Sequence, residues 1–344
     1  MLTSLTAPAF AKTWCIEDGN ITVKAGDTGN DVTQKGETTY GDTDTIITNQ
    51  NKDIASSNTV TIETNDKNDK VEVTLKDVNI NVGSDSGSAL TSKGDVTLTL
   101  KGDNHLTGGI SDTGNYGRNG IASTGSLTIT GGENGSLTAQ GGSGADGGHG
   151  GHGIYSNGSL TISGGSTVTA NGGNGGNVSG DGISSNGSVT ISGGTVTANG
   201  GDGSSGGDGI RSGDIDLSGS LELTAKAGSP NGKALSQAGH ELDLDTIKDK
   251  LGPGAKSPSP MLMARPSRSP SPALWSRKSL LPLLTAALHP VHTRLSPPRP
   301  DCHRQERRGH LLHQHPERQY PHRLRRTVHS LSPCFAVRAA SAAG

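Results

Sequence analysis

The sequence predicts an all-β chain, a right-handed parallel β-helix with a disordered C-terminal tail, and three observations carry that prediction. A phrase recurs: GIASTGSLTITGG (residues 120–132) returns as GIYSNGSLTISGG (153–165) and GISSNGSVTISGG (182–194), with a looser copy, GIRSGDIDLSGS, at 209–220. Inside each copy apolar residues alternate with Ser or Thr, the period-2 pattern of half-buried strands. Glycine reaches 53 residues while only 29% of the chain is apolar, which supports no thick core and suits a fold that turns every few residues.

Each repeat contains three short strand signals. The expected inward sets are Ile121, Leu127, Ile129, Leu137 and Ala139, then Ile154, Leu160, Ile162, Val168 and Ala170, then Ile183, Val189, Ile191, Val196 and Ala198. Five apolar side chains cannot offset the backbone entropy of ordering one such unit. Stacked ~4.8 Å apart in parallel register, however, they form continuous aliphatic ladders. Leu127, Leu160 and Val189 are expected in one ladder and Ile129, Ile162 and Ile191 in the next, with Ser and Thr outward. Gly-Gly and Asn-Gly pairs between strands are expected to supply the positive φ of sharp corners. Upstream, residues 21–23, 45–48, 59–63, 71–75, 78–82 and 96–100 read as less regular coils. A β-sandwich is the alternative that remains open at this stage.

The organisation is tripartite. Residues 1–13 are expected to be the remnant of a secretory signal and an N-terminal segment, because Ala9-Phe10-Ala11 fits a small-x-small cleavage pattern. Residues 14–251 form the repeat domain. Residues 252–344 read as a disordered Pro/Arg/His-rich tail. Charge divides with them: residues 1–256 hold 16 Lys/Arg and 29 Asp/Glu, residues 257–344 hold 14 and 3, so the overall net of −2 conceals two unlike texts. Shifting the reading frame by two nucleotides from Ser257 restores Thr/Val/Asp/Gly language, so the tail is expected to be a frameshift product. The alternative is a basic segment that grips an anionic polymer. No apolar run approaches the ~18 residues of a membrane span, and the expected location is secreted or cell-surface.

Asp146, Asp181 and Asp208, with Asp202, fall in the corner loops before or between the Gly-Ile strands. If coils stack in register these carboxylates gather on one side, and hard oxygen ligands of that kind suit calcium. Asp146, Asp181 and Asp208 are therefore the candidate metal ligands, solubilising turn aspartates being the alternative. GGSGAD (141–146) matches the opening of a calcium-binding nonapeptide, without tandem copies. GHGGHG (148–153) matches a dinucleotide fingerprint but precedes a strand, so nucleotide binding is not expected. His149 and His152 are expected in a solvated loop. Asn134, Asn157 and Asn186 each open an Asn-Gly turn. Cys15 reads as a packed small residue. For lyase chemistry a base would have to come from Lys93, Lys101, Arg118 or Arg211, and no paired carboxylates at strand spacing indicate a hydrolase.

WCIEDGNITV (14–23), VEVTLKDVNINV (71–82), DVTLTLKGDNHL (95–106) and the Gly-Ile repeats together resemble the carbohydrate-binding β-helix proteins of Gram-positive gut and cellulolytic bacteria. The resemblance covers roughly residues 14–251. It implies a secreted, calcium-associated right-handed β-helix that binds acidic plant polysaccharide without lyase activity, and it transfers no ligand residue. The expected function is a non-enzymatic carbohydrate-binding or adhesion module whose partner is a polysaccharide, not nucleic acid. A polysaccharide lyase and a non-binding stalk are the alternatives.

Overall fold

The computed structural model describes residues 11–64, 70–84, 87–110, 116–144 and 147–242. The tail (252–344), most of the signal remnant and Asp146 lie outside the described residues. The described chain is all-β and coils as a parallel β-helix through about seven turns. Two large sheets build it. One stacks the short Gly-Ile strands, including Ile121–Ser123, Ile154–Ser156, Ile183–Ser185 and Ile210–Ser212; the other stacks long bent strands, among them Asp95–Thr107, Leu127–Gln140, Ser188–Asn199 and Asp214–Lys226. Each bent strand supplies two of the three sides of a coil.

The register places like on like. Leu127 pairs with Leu160 and Leu160 with Val189, while Ile129, Ile162 and Ile191 align beside them. Both ladders run on to Val71 and Val96, or Val73 and Leu98, at one end, and to Ile215 and Leu217 at the other. The Gly-Ile side stacks Ile21, Val60, Leu90, Ile121, Ile154, Ile183, Ile210 and Leu235. These parallel registers exclude the sandwich. The core is one aliphatic column, in which each side chain is covered by its neighbours above and below.

Three features differ from the sequence reading. The first concerns serine: Ser123, Ser156 and Ser185 point inward and are buried. Ser156 Oγ donates to the Gly125 carbonyl at 2.9 Å, Ser185 Oγ to Gly158 at 2.8 Å and Ser212 Oγ to Gly187 at 2.8 Å, each a turn carbonyl of the preceding coil. A buried hydroxyl is tolerated because it meets that carbonyl.

The second concerns glycine. Gly164, Gly194 and Gly219 have positive φ at the bend between the two arms, as expected. In the loops leading back to the Gly-Ile side, glycine is needed for a different reason. An added Cβ at Gly180 would lie 1.8 Å from the Gly151 carbonyl oxygen, and one at Gly173 2.0 Å from that of Gly142. There the backbones themselves are in contact, through Gly151 N–H to Gly142 O (2.9 Å), Gly173 N–H to Gly151 O (2.7 Å) and Gly180 N–H to Gly173 O (2.9 Å).

The third is at the N-terminal end, where Gly29–Gln34 and Glu37–Asp42 form an antiparallel meander on Ile21–Gly26. The sequence reading missed both strands, because of the three buried residues among them, Asn30, Val32 and Asp42, only Val32 is apolar. The meander turns at Lys35-Gly36, both at positive φ. Asp42 fastens this end, accepting from Trp14 Nε1 at 2.8 Å and Lys12 N at 3.1 Å.

Backbone-to-backbone packing predicts an asymmetric response to alanine. Gly180→Ala should destabilise the protein by about 3 kcal/mol or more, since no rotamer change relieves the clash. Gly132→Ala, whose Cβ meets nothing within 4 Å, should stay within about 0.5 kcal/mol. Thermal melting of the two variants checks this, and equal losses would contradict the packing described.

Candidate functional site: the corner ladder

Where the corner loop returns to the Gly-Ile side, one residue per coil occupies the same position: Asn119, His152, Asp181, Asp208 and Lys233. The backbone N–H groups at this position have no ladder partner from a strand, and side chains supply acceptors. Asn119 Oδ1 accepts from His152 N at 2.7 Å, and His152 Nδ1 from Asp181 N at 2.9 Å. Asp181 Oδ1 accepts from Asp208 N at 2.8 Å, and Asp208 Oδ1 from Lys233 N at 2.8 Å. Each coil is thus clipped to the next by a side chain that must carry a lone pair, and three residue types satisfy that requirement.

Two contacts meet at His152 Nδ1: Asp181 N donates to it at 2.9 Å, and Asp181 Oδ2 lies 3.3 Å away. With Nδ1 accepting, as burial favours, the ring is neutral and its proton sits on Nε2. Burial lowers the His152 pKa below its ordinary 6.5; the Asp181 charge opposes this and Arg211 adds to it. Arg211, on the following Gly-Ile strand, reaches back to Asp181 Oδ2 through Nε (2.7 Å) and Nη2. Its Nε also lies 4.0 Å from Asp208 Oδ2. Burial disfavours the Arg211 charge, but the Asp181 charge and hydrogen bond outweigh it and raise its pKa. A guanidinium so held is a poor proton acceptor. For Asp208, burial raises the carboxyl pKa despite the Lys233 backbone bond.

Asp181 and Asp208 therefore do fall in register on neighbouring coils, and both turn inward; Asp181 is 1% exposed. Their oxygens are engaged by backbone N–H groups and Arg211. Asp202, on the outbound limb, is exposed, and its Oδ1 accepts from Ser229 N at 2.7 Å. Among the described residues no group of three or more His, Cys, Asp or Glu is arranged to hold a metal ion. Of the other cations considered, Lys93 pairs with Glu63 at 3.1 Å and Arg118 is exposed.

The loop histidines are not simply solvated. His152 stacks on Tyr155 with ring centroids 5.7 Å apart, and His149 on Tyr116 at 5.2 Å. Asn186 Nδ2 donates to Tyr155 Oη at 3.0 Å and to Asn157 Oδ1 at 2.8 Å. Two of the Asn-Gly turns thus form an amide pair beside the ring. The signal in the sequence was positional: residues 116 and 119 stand at the same distance before their Gly-Ile strand as 149 and 152 do before theirs.

The His152 link predicts acid sensitivity. Its folded pKa lies below the unfolded value, so the unfolded chain takes up the proton first. Stability is then full above about pH 6.5 and falls as pH drops below it. His152→Asn keeps an acceptor, as Asn119 does, and should flatten the pH dependence of the melting temperature between pH 7 and 5. Asp181→Ala should cost about 2 kcal/mol, because Asp208 N–H loses its acceptor; Arg211→Ala should cost less, since nearly half of that side chain is in water. No family model, curated protein or solved structure matches this chain.

Proposed function

We propose that the chain is an extracellular carbohydrate-binding or adhesion module of a bacterial surface protein, acting by binding and not by catalysis. The observation that supports this most is the like-on-like register of the outer faces. Thr128, Thr161 and Thr190 stack on one arm, and Thr138, Thr169, Thr197 and Thr224 on the other. The same hydroxyl therefore recurs over successive middle rungs, ~4.8 Å apart, until Asp216 follows Thr190 on one arm and His105 precedes Thr138 on the other. A surface that repeats along one axis suits a ligand that repeats as well, and hydroxyl-bearing polymers have groups that pair with it. The resemblance of residues 14–251 to carbohydrate-binding β-helices points the same way.

Calcium-assisted binding of acidic polysaccharide remains part of this reading, on the argument of sign: residues 1–256 carry 16 basic against 29 acidic residues, and a divalent ion offsets repulsion from a uronate polymer. With Asp181 and Asp208 engaged inside the corner, such a bridge would draw on carboxylates that face water, Asp202 among them. If the module binds a repeating ligand, affinity should rise with oligosaccharide length up to the length of the face. Calorimetry across a length series of xylo-, manno- and galacturono-oligosaccharides checks this. Absence of binding across the series would leave a spacer role as the better account.

A further inference from the structure

We infer that the coil boundary at Ala122 and Tyr155 is a stacking slot for a neutral pyranose ring, an inference that rests on the carbohydrate-binding reading and assigns it a place. Along the outer Gly-Ile ladder the residues run Thr91, Ala122, Tyr155, Ser184 and Arg211. Tyr155 is the one aromatic among them, and its neighbour on the N-terminal side is a methyl group. Ala122 and Tyr155 are both half-buried, so this stretch of the outer ladder is reached by water. The backbones of Thr91 and Tyr155 stand two rung spacings apart, ~10 Å, with only a methyl group on the rung between them.

The tyrosine is held before any ligand arrives. His152 stacks on it, Asn186 donates to its hydroxyl, and His152 is itself clipped to Asn119 and Asp181. Rotamer freedom that a loose tyrosine would lose on binding is already gone. A second aromatic is supported by a histidine in the corner loop: Tyr116 is 52% exposed and stacks on His149. Tyr116 and Tyr155 are thus two histidine-supported aromatics on neighbouring coils, with the exposed Arg118 two residues from Tyr116 as a hydroxyl donor.

The class of ligand follows from charge and shape. One face of a pyranose presents axial C–H groups, weakly positive, to the negative face of an aromatic ring. At this corner Asp181 is paired with Arg211 and Asp208 accepts from the Lys233 backbone, so neither is left to hold a cation for an acidic polymer, and a neutral sugar needs none. Stacking requires no metal.

The test is binding of neutral xylo- and manno-oligosaccharides and of polygalacturonate to the full chain, with calcium or with a chelator, for the native protein and four variants. Tyr155→Ala and Tyr116→Ala should each weaken neutral-glycan binding by about tenfold. Tyr155→Phe should retain it. Ala122→Leu fills the slot from the outside without touching the core, and should abolish binding while leaving the melting temperature unchanged. Chelator should have no effect. Neutral-glycan binding that survives Ala122→Leu and both alanine variants would overturn the slot and leave the carbohydrate reading standing. Binding confined to polygalacturonate and lost with chelator would overturn it in favour of the calcium-bridged mode. No binding to any glycan would remove both.

Discussion

Parallel register between coils is the constraint from which the rest of this structure follows. A coil brings few apolar side chains, and none would be adequately covered within the coil itself. Coverage comes from the same residue type one rung above and one below, so each position is selected for compatibility with its own copy. This makes the column of Leu127, Leu160, Val189 and Ile215 continuous although the chain is poor in apolar residues. It also transmits regularity outward, because inward registry fixes the alternation of every strand and lays the Thr residues in rows.

Registry has a second consequence at the corners. A loop that must close on itself and on its neighbours leaves no volume for side chains, and glycine fills the contact positions because its backbone can meet another backbone directly. The polar groups that strands would satisfy are instead satisfied across the loop and, at one position per coil, by a side chain. Asp181 and Asp208 belong to that bonding scheme. Their buried carboxylates are partnered, and the half-exposed Arg211 balances the charge of the more deeply buried one.

The sequence made the column legible and the corners less so. Period 2 and exact repetition identify inward residues such as Ile162 and Val189, because burial there depends only on alternation. The buried serine of each Gly-Ile strand was read as outward, since its partner is a turn carbonyl of another coil and no local pattern encodes it. Glycine was read as a turn residue because φ is a local property, whereas the close approach of Gly180 to Gly151 is a property of stacking. Asp181 and Asp208 do share one register position, while Asp202 lies on the other limb, and register alone does not say whether a carboxylate turns toward solvent or toward the next backbone. Tyr116 meets His149 only through the stacking of coils, whereas His152 and Tyr155 lie three residues apart on one coil.

The clip from each coil to the next has a direction. Asn119, His152, Asp181 and Asp208 are acceptors for the N–H of the coil that follows, never of the one before. At this corner the solenoid is therefore polar along its axis: at every clip from Asn119 to Lys233 the lone pair lies on the N-terminal coil and the N–H on the C-terminal one. A coil added beyond residue 233 would have to bring an N–H to this position, and one added before residue 119 an acceptor.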